Sequence, residues 1–283
     1  MIPVIFIHRG NTTVHNAIAQ AQQYNERVIL LGDETNASSL CEFYPYQQHL
    51  SVDARHMSQV YQHMHSNPGT EYRLANFLRW FIIAQFMQEK QLDKVFVADS
   101  DLLIYTNITE IANDWGTFDV LLGIPLRQGN YRWAAPGHAS YWTLDGLRQF
   151  CSFAIQQYST DVGLTRLQKK WDWHLRTGTN GGICDMTLLY LFQREHPELV
   201  GSLLAVTGRS TSRVHAFDLN INYAENYAPD EYRLCTVPEA PYGALKELTW
   251  LDGQPYGYNR PLDRLVRFDG LHFQAGAKRF IKE

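Results

Sequence analysis

The chain has 283 residues, 45% hydrophobic and 19% charged, with a formal net charge of −4. This composition excludes wholesale disorder, and without a Lys/Arg run it excludes a nucleic-acid-binding patch. Residues 1–7, MIPVIFI, are too short and too free of basic residues for a secretory leader, and no run of eighteen apolar residues marks a membrane span.

Residues 4–8 read as a buried strand running into a turn at Arg9-Gly10, residues 14–24 as a helix, and residues 27–31 as a second strand closed by Gly32-Asp33. Residues 34–68 carry no clear period and are expected to be irregular. A long helix is expected over 71–91, with Leu74, Phe77, Leu78, Phe81 and Ile82 on one face. The apolar run at 94–98 is then a central strand. Further on, 118–124 reads as a strand, 128–142 as a Gly-, Trp- and Tyr-rich segment, 145–158 and 161–175 as helices, 177–182 as a loop and 186–195 as a short apolar helix. The last hundred residues are mixed, with a strand at 265–268 ahead of Asp269-Gly270-Leu271-His272. The β-α-β-α-β order of the first hundred residues predicts an α/β fold, a mostly parallel, Rossmann-like sheet with helices on both faces. One domain is expected, 1–283, with a first half at 1–125 and a second at 126–283. Cys41, Cys151, Cys184 and Cys235 are widely spread, with no metal-binding spacing, and read as reduced, mostly buried thiols of a soluble, cytoplasmic protein, peripheral membrane contact remaining open.

Asp99 and Asp101 follow the central strand directly. In extended chain, residues two apart share a face, so both carboxylates could converge on one hard cation at the carboxyl end of a strand, where open α/β sheets bind ligands. A divalent ion there could bridge a diphosphate and neutralise charge on a leaving group. The bland alternative is a pair of strand-stopping or helix-capping aspartates.

The run KVFVADSDLLIY at 94–105 resembles the strand and DxD motif of the GT-A glycosyltransferases, most nearly the family 8-like group that includes glycogenin and bacterial lipopolysaccharide galactosyltransferases. The resemblance implies a GT-A fold with a nucleotide-sugar-binding first half and an acceptor half. It also implies transfer of a sugar from a UDP-sugar to a hydroxyl on a carbohydrate, lipid-linked or protein acceptor, with Mn²⁺ or Mg²⁺ as cofactor. Arg79 takes the place of the donor-contacting arginine on the preceding helix, with Arg73 as the second candidate, and Ser100 lies within the motif. The segment LHFQAGAK at 271–278 is similar to the group's HFxGxxK motif, with the glycine displaced by one to Gly276. By that likeness His272 is a third metal ligand beside Asp99 and Asp101, and Lys278 contacts the diphosphate. The stretch TNGGICDM at 179–186 looks like the sugar-pocket loop, through Asn180, Gly181 and Gly182. Asp185 is there either a helix N-cap or an acceptor contact or general base. His8, Arg9 and Asn11 at the first strand end, and Asp33 after the second, fall where this fold holds the base and ribose. His138 either faces the acceptor or is structural. The closest-looking group retains anomeric configuration, which needs no strong base; an inverting reaction would use Asp185. Competing readings are a haloacid-dehalogenase-type phosphatase, for which Leu103 is the wrong residue, a nucleotidyltransferase, for which Arg9-Gly10 is too thin a loop, and a carbohydrate-binding protein without turnover.

Overall fold

The computed structural model describes residues 1–10, 13–124, 131–208 and 214–281. In chain order the elements are β1 (Val4–Ile7), α1 (Val14–Gln22), β2 (Val28–Gly32), β3 (Glu42–Pro45), α2 (Val52–Val60), α3 (Thr70–Glu89), β4 (Lys94–Ala98), β5 (Leu102–Ile104), α4 (Ile108–Ile111), β6 (Val120–Leu122) and β7 (Ala139–Thr143). They continue as α5 (Leu144–Ser159), α6 (Asp161–Thr177), α7 (Asp185–Glu195), β8 (Val200–Ser202), β9 (His215–Phe217), β10 (Leu234–Thr236), β11 (Ala244–Lys246), β12 (Leu248–Leu251), β13 (Gln254–Asn259) and β14 (Arg264–His272).

The central sheet has seven strands in the order β3-β2-β1-β4-β7-β6-β8, and only β7 runs against the rest. The inner strands of such a sheet are buried on both faces, so they are largely apolar and alternate residues feed two different cores. Phe6, Leu30, Phe96 and Ala98 point to one core, and Ile5, Leu31, Val95 and Val97 to the other. The second core is closed by α2, α3, α5 and α7. The first is closed by α1 together with a second, antiparallel sheet, β12-β13-β14-β5, rather than by helices alone.

Residues 34–68 are not irregular. They hold edge strand β3, the 3-10 turn Tyr46–His49 and helix α2, which Ser51 starts by accepting from Ala54 N at 3.0 Å. Helix α3 buries Phe77, Trp80, Phe81 and Ile83, whereas Leu78, expected on that face, lines the cavity described below. Of the cysteines, all unpaired, Cys151 and Cys184 are buried, Cys41 is half-buried and Cys235 is exposed. Among the described residues no helix is long and apolar enough to cross a membrane.

Candidate active site

The site begins where β4 stops. Asp99 N donates to His138 O at 2.8 Å, and Leu102 N donates back to Asp99 O at 3.1 Å. Residues 99–102 therefore form a turn, not the extended segment expected from the sequence, and the chain reverses into β5. Strand β5 pairs antiparallel with β14, with Leu102 opposite His272, and Phe273 N donates to Asp101 O at 2.9 Å. This pairing carries His272 from the far end of the sequence to the aspartates.

His272 Nε2 lies 3.5 Å from Asp101 Oδ1, and Lys278 Nζ, on the 3-10 turn Ala275–Phe280, lies 3.1 Å from Asp101 Oδ2. Burial pushes the Asp101 carboxyl up, but His272 and Lys278 outweigh it and hold the group well below the usual carboxylate range. The imidazole is fixed from behind: His272 Nδ1 donates to Leu219 O at 2.7 Å. Burial lowers the ring's affinity for a proton, but the Asp101 carboxylate wins and raises it, so Nε2 faces Asp101 as a donor; a cation there would displace that proton and leave the tautomer a metal ligand needs. His138 stacks on His272 with ring centroids 3.8 Å apart and planes within 7°. Its Nε2 donates to Asp218 O at 3.1 Å. The bracket holding both rings is residues 218–220. Asp218 Oδ2 accepts from His272 N at 3.2 Å, and Lys246 Nζ donates to Asp218 Oδ1 at 2.6 Å and Asn220 O at 2.8 Å, with Lys246 and Asp218 side chains fully buried.

Asp99 faces a different cation. Arg79, on α3, spreads its guanidinium between Asp99 Oδ1 at 2.9 Å and Asp185 Oδ2 at 2.8 Å, and sits over the Trp80 ring at 4.4 Å. Trp80 Nε1 donates to the same Asp185 oxygen at 3.3 Å. A side chain at Gly137 would put Cβ 2.7 Å from Trp80 Cζ2, so glycine there lets this layer close. Asp185 is not the N-cap of α7. Cys184 occupies that position, and Asp185 is the first helical residue, buried, with its carboxylate turned to Arg79. Among the described residues no three His, Cys, Asp or Glu side chains stand together as a metal-holding cluster. Of the three ligands nominated from the sequence, Asp101 and His272 meet and Asp99 stands with the arginine.

These groups open into a cavity of about 1040 Å³ along the carboxyl edge of the sheet. His8, Arg9, Arg73, Arg79, Asp99, Ser100, Asp101, His138, Asp185, His272 and Lys278 all line it. Others nominated from the sequence do not. Asp33 accepts from Gly10 N at 2.9 Å and Thr35 N at 2.9 Å, so it ties two loops together away from the cavity. Gly182, with φ of 147°, lies where a Cβ would be 2.3 Å from Met64 O, and Gly181 packs on His174; both glycines serve chain-to-chain approach rather than a ligand. Asn180 and Gly276 are exposed and outside the lining, and Asn11 lies outside the described residues. The sequence reading missed Asp218 and Lys246, which have no local signature. It also missed Tyr46, whose ring lies 5.6 Å from the Arg9 guanidinium, and Arg132 and Tyr223 in the same lining.

No family model matches the chain, and no curated protein does. Among solved structures it is similar to mouse xyloside xylosyltransferase 1, at 13% identity and a TM-score of 0.48, over 71% of this chain and 84% of that one. It is also similar to the galactosyltransferase LgtC in complex with donor and acceptor sugar analogues, at 14% identity and a TM-score of 0.41, over 71% and 73%. A third likeness is to the glycosyltransferase GlyE of Streptococcus pneumoniae, at 16% identity and a TM-score of 0.36, over 72% of this chain but 45% of GlyE.

Proposed function

We propose that this protein is a glycosyltransferase that moves a sugar from a UDP-sugar to a hydroxyl acceptor and works with a divalent cation, Mn²⁺ or Mg²⁺. The observation that carries the reading is the β5–β14 pairing, which seats His272 Nε2 3.5 Å from Asp101 Oδ1 on the wall of a cavity that the β1 end also lines. Two donors that suit such a cation already face each other, an Asp101 carboxylate oxygen and an imidazole whose other nitrogen is tied to a backbone carbonyl, and Asp99, held by Arg79, would have to turn to join them. Bound there, the cation would neutralise the diphosphate and make it a better leaving group.

The chain's own residues supply the rest. Lys278 and Arg79 add positive charge where the departing diphosphate becomes more negative, in a site whose partners are already in place. His8 and Arg9 sit at the end where a nucleoside would lie. Asp185 Oδ2 is committed to Arg79 and Trp80, which favours a part in orienting the donor sugar over proton abstraction. With Asp185 so committed, the reading favours the retaining course, in which the acceptor proton passes to the leaving diphosphate. The test is UDP release from UDP-sugars in the presence of Mn²⁺. Asp101→Asn and His272→Ala should each abolish it without changing the far-UV circular dichroism. UDP release that persists unchanged in EDTA would sink the reading.

A further inference from the structure

The cavity wall is more cationic than the proposed donor complex requires. Its lining holds Arg9, Arg73, Arg79, Arg132 and Lys278 against Asp99, Asp101 and Asp185, five positive groups against three negative with histidines neutral, an excess of two. All three carboxylates are already engaged, by Arg79 and by Lys278. Among the described residues Arg73 and Arg132 have no carboxylate within 4.0 Å, and the buried Nε of Arg73 has no hydrogen-bond partner. The diphosphate of a nucleotide-sugar carries two negative charges and a divalent cation two positive ones, so binding the pair leaves the excess in place.

Position divides the arginines. Arg9 sits by the Tyr46 ring at the β1 end. Arg73 is six residues before Arg79 on α3, roughly 9 Å further along the helix from the carboxylates. Arg132 lies near Tyr223, which lines the same cavity. His65, close to Arg73, is brought down to about 4 by burial first and by the Arg73 charge second, so it offers Arg73 no counter-charge. Arg73 is half-buried without a counter-charge, which is costly, whereas Arg132 is exposed; the forked donors of both match phosphate and carboxylate oxygens.

We infer that the acceptor is anionic: a sugar or sugar-linked molecule with a phosphate or carboxylate group held by Arg73 and Arg132, beyond its reacting hydroxyl. The inference rests on the transferase reading above. Calorimetric titration of the full chain, saturated with UDP and Mn²⁺, is the test, with a hexose phosphate, a hexuronic acid and a neutral methyl hexoside as probes. At least one anionic probe should bind about tenfold tighter than the neutral one, and which of them wins distinguishes a phosphate from a carboxylate acceptor. Arg73→Gln and Arg132→Gln should each weaken that probe about fivefold or more while leaving UDP affinity within about twofold. Equal binding of charged and neutral probes, no binding of either anion, or equal loss of UDP and anion affinity in the variants overturns the inference alone. Failure of UDP to bind with Mn²⁺ overturns the transferase reading and this inference with it.

Discussion

Two ion-pair clusters lie within the same region of the fold and behave as opposites. Arg79 holds Asp99 and Asp185 at the edge of the cavity, with the Asp99 side chain 33% exposed. Lys246 holds Asp218 behind the site, with both side chains 0% exposed. In the first cluster a ligand can reach and exchange partners. In the second nothing can enter, and its effect is transmitted through residues 218–220 to the two stacked imidazoles. Similar ion-pair chemistry is open to exchange with a ligand where solvent reaches it and is framework where solvent does not.

Removing a charge at the open edge should cost turnover, and removing one at the sealed pair should cost stability. The largest effect belongs to Asp101→Asn, expected to lower UDP release by about 10³-fold or more while the melting temperature hardly moves, a split read by pairing a coupled UDP assay with calorimetry. Next is Lys246→Met, which leaves the Asp218 carboxylate buried without its cation. Urea unfolding should show a loss of about 3–5 kcal/mol, and adding Asp218→Asn should restore much of it. A loss below about 1 kcal/mol would erase the distinction between the clusters. Arg79→Lys keeps the charge but cannot bridge two carboxylates in fixed geometry; kcat should drop about 100-fold, with a smaller loss of stability than in Lys246→Met because one carboxylate keeps a cation. Smallest is a pH effect in a third cluster. His215, buried, bonds Asp269 through Nδ1 and Asp114 through Nε2 at 3.0 Å, with Arg267 on the other Asp269 oxygen. Burial lowers its affinity for a proton, but the two carboxylates win and raise its pKa. A histidine raised on folding contributes stability that is complete below its unfolded value of about 6.5 and is lost as pH rises through the folded value. Melting temperature should therefore fall from pH 6 to pH 9 more steeply than in His215→Gln; parallel curves would show that the cluster is not linked to folding.

The parallel half was legible because it is buried on both faces. Strand β4 falls on the residues predicted, since KVFVA has no other environment in which to sit. Strand β3 was not, because EFYP is a half-exposed edge strand with a terminal proline and shows no alternation. The hairpin of β12 and β13 carried a readable signal that went unused: Asp252 and Gly253 both have positive φ, as a two-residue hairpin turn demands. In the site, Asp99, Asp101, His272, Lys278 and Arg79 came from motif spacing and share one cavity. Asp33, Gly181 and Gly182 were nominated by the same likeness, yet their side chains and backbone are used within the chain. Contacts such as Asp218 with Lys246 join distant segments, and no periodicity or local composition encodes them.

The pairing of β5 with β14 also sets an order of events. Asp101 is made early in synthesis and His272 late, and the two meet only when the last strand docks. A ribosome-bound chain that has folded its parallel strands can present an aspartate turn but no completed centre. Completion of the pair thus waits for β14, and a proteolytic cut just ahead of residue 264 would loosen both His272 and the core positions of Val266, Phe268 and Leu271.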